Sequence, residues 1–102
     1  MSQSDLQALP NVGPAVARML VDAGIERPDD LRGQTADRLY RRLCQSAGHR
    51  LDPCLLDTLV AVFDHANGAP PQPWWHYSRL RVDARSASRY DALVHARLPL
   101  DA

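Results

Sequence analysis

Cys44, His49, Asp52 and Cys54 lie close together in the chain, and residue types of this kind support three chemistries. A Cys-x4-His-x4-Cys run offers zinc three of its usual four ligands. His65 or His76 would have to complete the set, and zinc sites normally draw on closer Cys pairs. A Cys44–Cys54 disulfide would close the loop between two helices, against the reducing poise of a cytosol. A Cys54, His49, Asp52 nucleophile set needs a pocket as well as proximity, and one short loop seldom holds that geometry. The plainest reading makes Cys44 a small hydrophobe on an apolar helical stripe, with Cys54 packing nearby in the first turn of the next helix. Cys54 is the more reactive thiol of the two, because a helix dipole stabilises a thiolate at that end. The expectation is therefore no catalytic residue, no metal and no cofactor.

The second chemistry-bearing stretch is Trp74-Trp75, which follows Ala69-Pro70-Pro71-Gln72-Pro73 directly. The proline run favours an extended conformation with few backbone donors. Two adjacent indoles are costly to leave in water, so the pair is expected to strap residues 70–83 onto the core with at least one indole buried. The alternative is a surface for a partner or for stacking bases, with Trp74, Trp75, Arg79 and Arg81 as a secondary contact. From Ser78 onward Arg79, Arg81, Arg85, Arg89 and Arg97 stand against Asp83, Asp91 and Asp101.

These groups must be positioned by helices, since no segment alternates like a strand. Ser4 can cap a single turn from Asp5 to Leu9, which Pro10 and Asn11 then break. Pro14 fits a first helical turn, and Val16, Met19, Leu20 and Ala23 recur at helical spacing up to Gly24. Residues 27–33 read as a connector, with Ile25 and Leu31 as anchors into the core. Thr35 caps a helix whose stripe is Leu39, Tyr40, Leu43, Cys44 and Ala47. Asp52 and Pro53 open the strongest helix, carrying Leu55, Leu56, Leu59, Val60, Val62, Phe63 and Ala66. Tyr90, Leu93, Val94 and Leu98 outline one short amphipathic helix in the tail. The expected core is Leu20, Leu39, Leu43, Leu59 and Phe63, in an all-α fold of one domain.

Composition bounds the partners. The 102 residues are 45% hydrophobic and 24% charged, values of an ordinary globular chain. Net charge is zero, so no global field draws the protein to nucleic acid or to an anionic membrane, and any such binding must be local. All twelve basic residues are Arg, a usage that fits GC-rich coding better than a functional choice. No apolar run approaches the ~18 residues of a membrane span, and Met1 to Asp5 is polar where a signal peptide is basic and then apolar. The expected address is the cytoplasm, with no small-molecule substrate.

Leu9-Pro10-Asn11-Val12-Gly13-Pro14-Ala15-Val16-Ala17 resembles the hairpin of the helix-hairpin-helix family. That resemblance implies phosphate binding by backbone N–H groups at a helix N-terminus, with the helix dipole adding partial positive charge. The implied phosphate contacts are Asn11, Val12, Gly13, Ala15 and Arg18. Gly13 suits a close approach of the backbone to a ligand. Asn11 stands where the family carries its first Gly, a place Asn can take because it tolerates left-handed backbone. Ala15 departs from the basic residue that DNA-binding members often have there, leaving Arg18 as the nearest cation.

A longer resemblance runs to about Tyr77. The order of that hairpin, Asp30-Leu31, Leu39-Tyr40, Leu43-Cys44, Gly48, Asp52-Pro53-Cys54, Pro70-Pro71 and Pro73-Trp74-Trp75 looks like the small bacterial pathogenicity locus family, some members of which are labelled mitomycin resistance proteins. It implies tandem helix-hairpin-helix units, the second degenerate, across residues 1–69. Residues 70–83 then form the strap and 84–102 a tail. The implied function is weak, sequence-indifferent DNA binding without catalysis. A protein-interaction module of the same fold is the alternative.

Overall fold

The computed structural model describes residues 2–100. Its helices are α1 (Ser2–Gln7), α2 (Pro14–Asp22), α3 (Ala36–Ala47), α4 (Pro53–Ala66), α5 (Trp74–Val82) and α6 (Ala87–His95). Short 3-10 turns occupy Pro28–Leu31 and Ala84–Ser86, and no strand occurs among the described residues. The all-α reading holds.

The helix boundaries follow local chemistry. Proline at the first position of α2 and of α4 has no N–H to leave unpaired. The Thr35 hydroxyl accepts from the Arg38 N–H to cap α3, and the Asp52 carboxylate accepts from the Cys54 N–H to cap α4. Gly48, left-handed at φ 79°, ends α3 by donating its N–H to the Cys44 carbonyl. At the chain's start α1 already includes Ser4, so that residue lies within the helix and not at its expected cap position.

α4 is the central element. Every residue from Asp57 to Phe63 is buried, because α3, α5 and α6 all pack on it. A helix apolar on almost every side has to sit in the middle. Leu20, Leu39, Leu43, Leu59 and Phe63 share one core with Leu6, Ile25, Leu31, Tyr77, Tyr90, Val94 and Leu98. The α1–α2 pair packs together ahead of α3.

One expectation about the C-terminal third needs correction. Residues 69–73 are non-helical, but the extended strap stops at Pro73, and Trp74 to Val82 is a helix. The reason is inward-facing polar residues that complete the helix's contacts with α4, described below. The expected short helix of the tail is present as α6, and its Tyr90 and Val94 are core residues. Beyond it the chain turns back to the α2–α3 connector. The Gly33 N–H donates to the Leu98 carbonyl at 2.7 Å, and the Leu98 N–H donates to the Gln34 carbonyl at 3.1 Å. Gly33 is glycine because its φ is +80°, a left-handed backbone in which a side chain is strained.

Candidate functional site

The turn between α1 and α2 presents Gly13, Pro14 and Ala15 to solvent, while Val12 is buried beneath them as an anchor. The first intrahelical bond runs from the Ala17 N–H to the Gly13 carbonyl. The N–H groups of Gly13, Ala15 and Val16 have no acceptor among the described residues, and Gly13 provides no side-chain cap. Three other helices are closed at this end: α3 by Thr35, α4 by Asp52, and α5 by a group from outside it. Arg18 is exposed and three residues beyond Ala15, on the same side of α2.

Gly13 is not a glycine that the fold demands. Its φ is −93° and ψ −173°, extended backbone that any residue adopts, and nothing lies within 4 Å of where a Cβ would stand. A Ser, Asp or Thr there would cap α2 and stabilise it.

Asn11 does more than the sequence reading allowed. Its φ of 67° is the left-handed conformation expected of it. Its side chain, however, is committed elsewhere: Nδ2 donates to the Gln72 carbonyl at 2.8 Å, and Oδ1 accepts from the Trp74 N–H at 3.1 Å. Asn11 therefore caps α5 from across the molecule, and its amide is not free for a ligand. The turn and the Pro-Trp segment are one unit.

The indoles at the start of α5 are not the anchor. Trp74 is 40% exposed and Trp75 47%, and Tyr77 takes the buried position with its hydroxyl donating to Asp64 Oδ2 at 2.7 Å. The expectation that at least one indole is buried is corrected: helical spacing turns Trp75 away from the side that carries Tyr77 and Ser78. Trp74 shares that side but stands at the first position of the helix and stays 40% exposed, with Tyr77 one turn on filling the buried place. The Arg79 guanidinium stacks over Trp75, 4.7 Å from the ring centroid. Arg79 has no carboxylate partner among the described residues, whereas Arg81, expected as a surface contact, points inward to Asp57.

Asp57 is the residue that sequence reasoning missed. It is fully buried in α4, and its carboxylate accepts from the hydroxyls of Ser78 at 2.5 Å and Tyr90 at 2.6 Å, and from Arg81 Nε at 3.0 and 3.1 Å. Burial, then the hydrogen bond to Asp57, pushes the Tyr90 hydroxyl well above the usual phenol range. The signal was present in the sequence: an acid between Leu56 and Leu59 in the most apolar helix. A buried carboxylate must be paired.

Cys44 and Cys54 are both free thiols. The Cys44 sulfur accepts from the Leu51 N–H at 3.4 Å. Cys54 is not activated, because hydrogen bonding to the Asp52 carboxylate and then burial push its thiol up, against the helix dipole. The His49 ring bonds to the Arg50 carbonyl rather than to Cys54, so the three-residue nucleophile set is not assembled. Among the described residues no His, Cys, Asp and Glu side chains converge as metal ligands. Among the described residues no helix is long and apolar enough to cross a membrane.

Comparison with known proteins matches residues 2–82 to a family model described as pathogenicity locus. The chain is also 48% identical over 88 residues to the mitomycin resistance protein McrB of Streptomyces lavendulae, spanning 86% of this chain and 84% of that relative. No solved structure matches the chain.

Proposed function

The chain belongs to the pathogenicity locus family, and from that premise we propose that it is a cytoplasmic, non-enzymatic DNA-binding accessory protein of helix-hairpin-helix type. Its α1–α2 turn contacts the phosphate backbone and reads no bases. One observation carries the reading: an exposed, uncapped helix N-terminus opens on a glycine that neither conformation nor packing requires. A side chain there would cap the helix and screen its donors, so glycine keeps them open for an anion. In the second hairpin, at residues 48–52, the Asp52 carboxylate already holds the equivalent donor, which is what degeneracy of that unit means physically. The relative's name attaches resistance to mitomycin to that protein, and a part in such resistance is included in the proposal for this one. The exposure of both indoles favours a second reading, a protein-interaction module of the same fold.

The test is a duplex titration over a range of salt. Arg18 and Arg79 supply about two cations, so log affinity falls with log salt at a slope of about 2. Gly13→Asp discriminates, because an aspartate caps α2 and repels phosphate. The expected result is a fold stabilised by about a few tenths of a kcal/mol and duplex binding lost. Duplex affinity unchanged in Gly13→Asp, or absent in the parent chain at low salt, refutes the hairpin contact.

A further inference from the structure

We propose that Trp74 and Trp75 form a stacking platform for unpaired bases beside the phosphate contact, making single-stranded DNA the preferred ligand. The inference rests on the hairpin reading and adds the class of nucleic acid. Both large indoles are held at the surface on adjacent positions of the first turn of α5. An exposed aromatic face is what an unpaired base stacks on, and in a duplex the bases already stack on one another. Arg79 stacks over one face of Trp75 and brings to the indoles a cation without a carboxylate partner among the described residues, complementary to the phosphate that accompanies each base.

Position supports the same ligand. Asn11 bonds to Gln72 and to Trp74, and Gly13 is two residues away, so the Trp74 backbone lies within about 15 Å of the hairpin tip at most. At ~3.4 Å per stacked nucleotide, roughly four nucleotides span that distance, within the site sizes of known single-strand platforms. A strand gripped at the tip reaches the indoles without distortion of the protein. The two hydrogen bonds from Asn11 fix the separation before the ligand arrives, which lowers the ordering cost of binding.

The two indoles are the chain's only tryptophans, so tryptophan emission, excited selectively over the three tyrosines, reports on this surface alone. The full chain is titrated at low salt with an oligo-dT of about 12 nucleotides and with a duplex of the same length. Tryptophan emission and oligonucleotide anisotropy are both recorded. Oligo-dT is expected to quench the emission and to bind about 10-fold or more tightly than duplex. The Trp74→Ala/Trp75→Ala variant, with circular dichroism as the folding check, should lose that preference and keep its duplex affinity. Single-strand binding with quenching that persists in Gly13→Asp supports the platform and removes the hairpin reading. Duplex binding abolished by Gly13→Asp, without quenching or preference for oligo-dT, overturns the platform and leaves the hairpin reading in place. Failure of both ligands to bind overturns both. Emission that changes with protein concentration and not with oligonucleotide marks a contact between copies of the chain, and overturns the platform as well.

Discussion

Removing the Asp57 carboxylate should be the most damaging single polar change in this protein. Its two oxygens hold Ser78 and Arg81 of α5 and Tyr90 of α6 to the middle of α4. Asp57→Ala strands two hydroxyls and a guanidinium together. Truncating one partner of a buried ion pair costs about 3–5 kcal/mol. The Arg81 side chain is 30% exposed and can swing toward water, whereas Tyr90 is buried and its hydroxyl cannot, so the lower end, about 3 kcal/mol, applies. Against a total stability of about 5–15 kcal/mol that is a large share. At ~4–8 °C per kcal/mol for a domain of this size, Tm should fall by about 12–24 °C. Urea and thermal unfolding followed by circular dichroism measure it. In a double-mutant cycle, Asp57→Ala with Arg81→Ala should cost at least about 1 kcal/mol less than the sum of the single changes. A loss below about 1 kcal/mol for Asp57→Ala, or an additive cycle, would refute the idea that this carboxylate locks α5 and α6 onto α4.

Two further outcomes follow from the same polar contacts. Burial is the leading cause that pushes all three tyrosines, Tyr40, Tyr77 and Tyr90, up from the usual phenol range. The folded state thus favours the neutral phenol, the unfolded chain releases its protons first above about pH 10, and stability declines as pH rises beyond that point. Phenolate absorbance should therefore appear together with alkaline unfolding, and a tyrosine that ionises reversibly near pH 10 in the folded protein contradicts this. Asn11→Gly keeps the left-handed turn and deletes the bonds to Gln72 and Trp74, so it should cost about 1–2 kcal/mol and shift tryptophan emission. An unaltered urea midpoint would show that the tie carries no stability.

The helices from α2 to α4 were legible because their determinants are local: proline in the first turn, Thr35 and Asp52 as caps, Gly48 as a stop, and apolar residues at helical spacing. α5 was hidden because that logic equates inward with apolar. Its inner surface includes Ser78 and Arg81, which read as solvent-facing until Asp57 is seen opposite them, and Asp57 lies 21 and 24 residues away in sequence. The two failures are therefore one: a buried acid in α4 and a helix with a polar inner side satisfy each other, and neither is intelligible alone. The exposure of Trp75 followed from this. Once α5 is helical with Tyr77, Ser78 and Arg81 turned in, Trp75 has no route to the core.

The same long-range polar contacts bear on how selective the candidate interface can be. Asn11 is the one side chain in the turn with both donor and acceptor to offer a ligand, and the fold uses both on the Pro-Trp segment. Val12 is buried and Ala15 has no polar group, so the turn is left with backbone donors, and Arg18 is the one cation of the α1–α2 pair among the described residues. Backbone donors and a lone guanidinium position a phosphate but carry no sequence information, because the base edges that distinguish one pair from another lie in the grooves. Any preference among DNA ligands must then come from outside the turn. Asn11 and Asp57 hold α5 at its N-terminus and along its inner side, which fixes Trp74 and Trp75 relative to the turn. The preference that arrangement can supply is one of strandedness, since an indole accepts any unpaired base and is indifferent to which.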